Sequence, residues 1–353
     1  MRKFIQILPT ISYGDAVSNH ALSIAQVLQE MGIENEIYAA NIDSKLANKA
    51  KHKNKLITNS KDVLAYHMSI GSPLYKTIEE LPNEKKIMIY HNVTPAEYFL
   101  NINNTLFDNC KEGREQLYKL KNTFSLAIAD SAYNKSELIE IGYQNTCQIP
   151  LIINFDDYRI EPDKKVLERF NDDYVNILFV GRIAPNKKQD DIIKSFYLYK
   201  KHINPKSRLF LIGSYSGMEI YYNYLKSLIS DLKLDDVYIP GHIKFKEIIA
   251  YYKLATVFLC MSEHEGFCIP LIESMFFNVP IIAYDAAAIP ETLDGSGVLI
   301  TKKDYKVIAE LINIVVENKE FRNKIITKQN ERLKDFEPAK IKQQFKNYLS
   351  EIL

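Results

Sequence analysis

The chain has 353 residues, 46% of them hydrophobic and 25% charged, with 45 Lys and Arg against 44 Asp and Glu. That length and apolar content suffice for two globular domains with full cores, while a formal charge of +1 argues against a nucleic-acid binder, in which Lys and Arg would be in excess. Four cysteines without C-x-x-C spacing read as reduced thiols of a cytoplasmic protein, and from the opening MRKFIQILPT neither a secretory leader nor a membrane span is expected.

In chain order, a strand is predicted over 4–8, then the loop PTISYGDAVS, then a helix over about 19–31 stopped by Gly32. Ala21, Ile24, Ala25, Leu28 and Met31 recur at helical spacing, so one face is buried. With a strand over 36–40 this makes the βαβ unit of a parallel sheet. The Lys-rich segment 45–55 (KLANKAKHKNK) follows, then strands over 63–68 and 87–90, the turn HNVTP, an apolar run over 126–129, and a helix over 134–141 stopped by Gly142. Residues 154–173 are charged and mark a domain boundary.

The alternation restarts with a strand over 175–180, the loop GRIAPNKK, a helix over 190–201, a strand over 208–212 and a turn at Gly213. A helix over 218–232, a strand over 237–239, the turn PGH and a helix over 246–255 come next. Amphipathic helices are predicted over 305–317 and 321–333, and a last one over 338–353 puts Ile341, Phe345, Leu349 and Ile352 on one face. The expected organisation is a first domain over 1–155, a linker over 156–174, a second domain over 175–335, and a closing helix over 336–353 that returns to the first.

The most informative stretch is 262–273, SEHEGFCIPLIE, set between the apolar runs TVFLCM and VPIIA. It reads as strand, loop, helix, strand, with Glu265 at the loop-to-helix junction and Glu273 eight positions on. In open parallel sheets ligands bind beyond the carboxyl ends of strands, where every polar loop of interest here falls. Arg182 and Lys187, five apart across a Pro-containing loop, supply the two positive charges a diphosphate needs, or are ordinary surface cations. Like charge keeps Glu265 and Glu273 off that diphosphate; they suit sugar hydroxyls, because one carboxylate accepts from both members of a vicinal diol. The amides of Gly266 and Phe267 open a helix and offer donors to an oxyanion.

No metal site is expected, because D-x-D and H-E-x-x-H are missing and the seven histidines are scattered. His91 follows an apolar strand and precedes Asn92, at a strand's carboxyl end. The lack of a G-x-S-x-G elbow and of a complete G-x-G-x-x-G after the first strand disfavours a serine hydrolase and a nicotinamide enzyme. Segment 45–55 reads first as a solvated face, and otherwise as a dock for an anionic lipid surface or a lipid-diphosphate acceptor.

These residues resemble the retaining glycosyltransferases of family 4. EGFCIPLIE is similar to that family's E-G-F-x-x-P-x-x-E, VGRIAPNKKQDDII to its G-R-x-x-x-x-K segment, and IPGHI to its nucleobase-contacting turn; ADSAYNKSEL and YHNVTPAEYF are similar to segments of its members. The resemblance implies an α/β fold of GT-B architecture, two facing Rossmann-like doubly wound parallel-sheet domains with a cleft between them. It assigns the donor diphosphate to Arg182 and Lys187 and to the first-loop residues Gly14, Asp15 and Ala16, where members often carry two adjacent glycines. Glu265, Gly266, Phe267 and Cys268 would hold the donor sugar; Glu273 the ribose; Ile243 and Ile269 the nucleoside side. His91 would lie beside the transferred sugar, and His91 and Glu265 would be the catalytic residues.

The activity so implied is metal-independent transfer of a hexose from a UDP- or GDP-sugar to an acceptor hydroxyl with retention. Its acceptor would be a glycan, a glycolipid or a lipid-diphosphate-linked glycan, with no cofactor beyond the donor and no nucleic acid. The location would be the cytoplasm or the inner membrane face. A non-catalytic nucleotide-sugar binder, a GT-B epimerase or phosphorylase, and a purely structural two-domain protein are the alternatives.

Overall fold

The computed structural model describes residues 2–352, with side chains described through residue 350. Two compact units result: unit 1 holds the chain up to Glu97, Asn104–Ile153 and the chain from Phe336 on, and unit 2 holds Tyr98–Asn103 and Asn154–Asp335.

Unit 1 runs β1 (Phe4–Ile11), α1 (Ala16–Glu30), β2 (Asn35–Ile42), β3 (Lys51–His52), β4 (Val63–Met68), α2 (Leu74–Glu80), β5 (Lys85–Tyr90), α3 (Asn104–Leu120), β6 (Leu126–Ala129), α4 (Ala132–Ile141) and β7 (Thr146–Gln148). Among the described residues its sheet has seven parallel strands in the order β3-β2-β1-β4-β5-β6-β7. Central strands covered on both faces read as unbroken apolar runs rather than alternations, and β4 (VLAYHM) is buried at every position. Local signals set the helix ends. Asp15 caps α1 by accepting from the Ser18 amide, Ser131 caps α4 through the Asn134 amide, and α4 stops at Gly142 in the left-handed region at φ 105°.

Unit 2 runs α5 (Lys164–Arg169), β8 (Val175–Val180), α6 (Gln189–His202), β9 (Ser207–Ile212), α7 (Glu219–Asp231), β10 (Val237–Gly241), α8 (Phe245–Leu254), β11 (Val257–Cys260), α9 (Ile269–Phe276), β12 (Ile281–Tyr284), α10 (Ile289–Leu293), β13 (Val298–Ile300), α11 (Tyr305–Glu317) and α12 (Lys319–Leu333). Its sheet, six parallel strands among the described residues, has the order β10-β9-β8-β11-β12-β13. Strand order therefore reverses between β8 and β11 in unit 2, and between β1 and β4 in unit 1. Loops leaving the two strands at such a switch diverge to opposite sides of the sheet and leave a crevice between them.

Helix α13 (Pro338–Ile352) follows unit 2 in the chain but packs in unit 1. Its Ile341, Phe345 and Leu349 share one core with Phe4, Ile24, Val63 and Ile87, and Lys342 and Lys346 each reach Glu30 at 2.9 Å. The side chain of Ile352 and all of Leu353 lie outside the described residues.

Where a linker is expected over 156–174, the structure has a 3-10 turn (Phe155–Arg159) and α5, and both belong to unit 2. Aromatic anchors explain this: Phe170 is 4% exposed and sits in the core of unit 2, although charged residues surround it in sequence. The Lys-rich segment 45–55 forms two 3-10 turns around the edge strand β3, and Lys51 pairs with Glu36 at 2.7 Å. Charge on an exposed edge strand also deters pairing with another chain.

One close approach fixes the carboxyl edge of unit 2. A Cβ at Gly213 would stand 1.9 Å from the Gly181 carbonyl oxygen, and Gly213 has φ 156°. Gly213→Ala is expected to cost about 1–3 kcal/mol, the range for forced overpacking, read as a lower urea midpoint with unchanged slope. A midpoint equal to the parent's would refute this reading of the β8–β9 edge.

Candidate active site

The loop after β8 is built to hold two cations at the switch point of unit 2. Gly181 ends the strand, the Ile183 amide donates to the Ser214 carbonyl at 2.9 Å, and Pro185–Lys187 closes a 3-10 turn before α6. Arg182 is exposed and its Nη2 donates to the Ser216 carbonyl at 3.2 Å. Lys187 turns inward, where its Nζ donates to Glu265 Oε2 at 2.5 Å. Burial opposes charge on Lys187, but the Glu265 carboxylate outweighs it and holds the ammonium above its ordinary pKa.

Between the two cations, Asn186 ties this loop to the one after β11. Its carbonyl accepts from the Glu263 amide at 2.9 Å, and its side-chain amide donates to the His264 carbonyl at 3.2 Å. The structure thus brings together the two motifs read as a pair in sequence, GRIAPNK and SEHEG. Their contact is direct: the Lys187–Glu265 ion pair is only 20% and 11% exposed.

Glu265 is held on its other side by the Ala288 amide, which donates to its carbonyl at 3.2 Å. Phe267 is buried, and its carbonyl accepts from Thr292 Oγ1 at 2.6 Å. Cys268 precedes α9 with φ 69°, a conformation that favours glycine. Its thiol lies within 4.8 Å of both the Cys260 thiol and a Glu265 carboxylate oxygen, and all four cysteines are free and buried. Ile269 opens α9 half-buried, and Ile243, also half-buried, follows β10 and packs on the core of unit 2.

Glu273 sits on α9 with one tyrosine on each oxygen: the Tyr158 hydroxyl donates to Oε1 at 2.8 Å and the Tyr252 hydroxyl to Oε2 at 2.6 Å. Burial raises its pKa, and the two hydroxyls pull it back. Each carboxylate oxygen keeps a further lone pair, so a vicinal diol can still be accepted. Tyr158 and Tyr252 were not among the sequence candidates, since a tyrosine in a charged run or on an amphipathic helix carries no mark of its partner.

The remaining candidates belong to unit 1. Gly14, Asp15 and Ala16 are exposed between β1 and α1, with Gly14 at φ 79° and the Asp15 carboxylate accepting from both the amide and the hydroxyl of Ser18, at 2.9 and 2.8 Å. That carboxylate is committed to the cap, which leaves backbone groups as the donors this loop can offer an anion. His91 follows β5 with Nε2 3.0 Å from His67 Nδ1 and Nδ1 3.6 Å from Asp130 Oδ2. Both of its ring nitrogens face partners inside unit 1.

The tyrosine pair on Glu273 generates a pH test. Because the folded pKa of Glu273 is raised, its contribution to stability is fully present below the unfolded value, about 4.3, and is lost as pH rises through the folded value. Removing a donor pushes that folded value further up. Tyr252→Phe is therefore expected to lose about 1–3 kcal/mol at pH 7, with the deficit shrinking below about pH 4. Urea titrations at both pH values check it, and an equal deficit at both would rule out the carboxylate as its source.

Residues 161–332 match the family of glycosyl transferases group 1. Over 223 residues the chain is 28% identical to the alpha-monoglucosyldiacylglycerol synthase of Acholeplasma laidlawii, covering 60% of this chain and 51% of that protein. Over 179 residues it is 26% identical to a Campylobacter jejuni enzyme, GalNAc-alpha-(1->4)-GalNAc-alpha-(1->3)-diNAcBac-PP-undecaprenol alpha-1,4-N-acetyl-D-galactosaminyltransferase, covering 50% of this chain and 48% of that one. The chain thus spans about half the length of these curated relatives. In fold, it is similar to Anabaena Alr3699/HepE crystallised with UDP-glucose, with TM-score 0.77, 16% identity, and 99% of each chain covered. The two parallel-sheet units have the fold of the GT-B glycosyltransferases, and residues 161–332, just under half of the chain, are similar to the glycosyl transferases group 1.

Proposed function

We propose that this chain is a retaining glycosyltransferase that moves a hexose from a UDP- or GDP-sugar to an acceptor hydroxyl in the synthesis of a glycan or glycolipid. The observation that carries the reading is the joined pair of loops at the β8/β11 switch, where Asn186 bonds the loop carrying Arg182 and Lys187 to the loop carrying Glu265, and Lys187 pairs with Glu265. Arg182 and Lys187 would hold the donor diphosphate. Glu265, with the backbone of Gly266, Phe267 and Cys268, would take the sugar hydroxyls. Glu273 would take the ribose diol, and Ile243 and Ile269 would border the nucleoside.

In this mechanism the bond from the anomeric carbon to the diphosphate oxygen breaks as an oxocarbenium-like state forms, and the charge growing on the leaving oxygen meets the guanidinium and the ammonium. The departing oxygen takes the proton of the acceptor hydroxyl, which attacks from the same face. Two fixed cations at the diphosphate make a bridging metal unnecessary there. His91 is given no proton transfer, since both its ring nitrogens are engaged. The two relatives, a diacylglycerol glucoside synthase and an enzyme acting on a polyprenyl diphosphate glycan, favour a lipid-linked acceptor met at a membrane face. No helix among the described residues is long and apolar enough to cross a membrane.

A thermal-shift panel of nucleoside diphosphates and their sugars should raise the melting temperature for one base, and product analysis should then find the transferred sugar with its anomeric configuration kept. Arg182→Ala should lower turnover about 10²–10³-fold with little loss of stability. Lys187→Ala should do the same, while also leaving Glu265 unpaired. Parent-rate turnover in purified Arg182→Ala would defeat the diphosphate assignment, and nucleotide binding without turnover in the parent would make the chain a binder rather than an enzyme.

A further inference from the structure

Three of the seven histidines, scattered in sequence, converge in unit 1. His20 projects from α1, His67 from the end of β4, and His91 from the turn after β5, and one ring nitrogen of each lies within 4.8 Å of the others. His20 is 3% exposed and His67 0%, and the His91 side chain is 4% exposed.

The hydrogen bonds around them fix the tautomers. The Gln6 side-chain nitrogen donates to the Ala21 carbonyl at 3.0 Å, so its oxygen must be the atom facing His67 Nε2 at 2.9 Å. His67 Nε2 therefore carries a hydrogen, and in the neutral ring Nδ1 carries a lone pair. Across the cluster, Asn92 donates to the Asn134 side-chain oxygen at 2.7 Å, which turns the Asn134 nitrogen onto Asp130. The other Asp130 oxygen faces His91 Nδ1 at 3.6 Å and favours the hydrogen there. In a neutral His91 the remaining Nε2 is then also a lone pair, 3.0 Å from that of His67. Two acceptors at that distance repel unless something positive stands between them.

His20 decides what that is. Neither of its buried ring nitrogens has a hydrogen-bond partner among the described residues, and a buried polar atom without a partner carries its full desolvation cost. A proton shared by His67 and His91 would relieve those two and leave His20 as it is. A metal cation would satisfy all three.

We propose that His20, His67 and His91 form a three-histidine site for a divalent transition-metal cation of the zinc class. Three neutral imidazoles with an open fourth position suit zinc. Zn–N bonds of about 2.0–2.1 Å place neighbouring nitrogens about 3.3 Å apart in a tetrahedron; His67 and His91 now face each other nearly head-on, nitrogens 3.0 Å and ring centroids 5.3 Å apart, so both rings must turn to converge on an ion and His20 must close on them. Gln6 behind His67 and Asp130 behind His91 are the outer partners that orient ligating imidazoles, Asp130 making the carboxylate–histidine–zinc arrangement. The site ties α1, β4 and β5 together at the carboxyl edge of their sheet. It belongs to unit 1, uses none of the unit 2 groups assigned to the diphosphate, and does not rest on the glycosyltransferase reading.

The test uses the full chain, stripped with a chelator and titrated with Co²⁺ as a spectroscopic probe and then with Zn²⁺. Expected are one equivalent bound, a visible Co²⁺ absorption of the tetrahedral type that Zn²⁺ abolishes, and a melting temperature that rises with Zn²⁺. Gln6→Ala should weaken binding ten- to a hundredfold, and His20→Ala should weaken it more. Because a cavity at His20 could unfold the chain, His20→Gln, which keeps most of the volume, serves as the second variant and should bind as poorly as His20→Ala. Absence of Co²⁺ and Zn²⁺ binding in the parent, or parent-level affinity in folded His20→Gln, would overturn the site. So would a histidine ¹⁵N spectrum of the parent, unchanged by Zn²⁺, in which one proton is shared between two rings.

Discussion

The ion pair between Lys187 and Glu265 is the contact on which the chemistry of unit 2 turns. Two charges this little exposed would each be costly alone, and together they cancel most of that cost. Neither charge can be removed singly without stranding the other, so the pair stores an anion-binding group and a hydroxyl-binding group in mutual neutralisation. Asn186 makes the arrangement rigid, because its hydrogen bonds go to backbone atoms of the opposite loop and leave the charged groups unencumbered. The sheet supplies the rest. A reversal of strand order between β8 and β11 opens room at their carboxyl ends, and Gly181 and Gly213 let the first two strand ends approach closely enough for their loops to hydrogen-bond.

Unit 1 repeats the device with different chemistry. Its reversal lies between β1 and β4, and the side chains gathered nearby are imidazoles and amides rather than paired charges. At one switch a lysine and a glutamate neutralise each other. At the other, ring nitrogens of His67 and His91 face one another at 3.0 Å, with Gln6 behind the first and Asp130 behind the second.

Much of this was legible from the sequence because it depends on local pattern. The largely apolar runs of β1, β4, β8 and β11 gave the parallel strands, Gly142 the end of α4, and the spacing of Ile341, Phe345 and Leu349 the buried face of α13. Helix α3 leaves little periodic signal because its stretch, NTLFDNCKEGREQLYKL, is mostly polar and buries only a narrow stripe around Cys110, Gly113 and Leu117. Segment 154–173 looked like a linker because charge dominates it, while its fold follows from the few aromatics it buries. At the sites, the motif residues could be named in advance, but their partners could not. Tyr158 meets Glu273 across 115 positions, and His20 nears His91 across 71, distances at which no spacing rule operates.

The placement of α13 has a consequence for biosynthesis. Unit 1 closes its core with Ile341, Phe345 and Leu349, so the nascent chain cannot finish its first unit until the second has been translated. Until then the surface formed by Phe4, Ile24 and Val63 lacks part of its cover, and exposed apolar surface of this kind is what draws chaperones to a growing chain. Once unit 2 folds, the segment joining Ile153 to Phe336 stops being a long floppy loop, and the entropy lost in bringing α13 home falls accordingly. Order of synthesis and order of completion are thereby inverted: the unit begun first is the one sealed last.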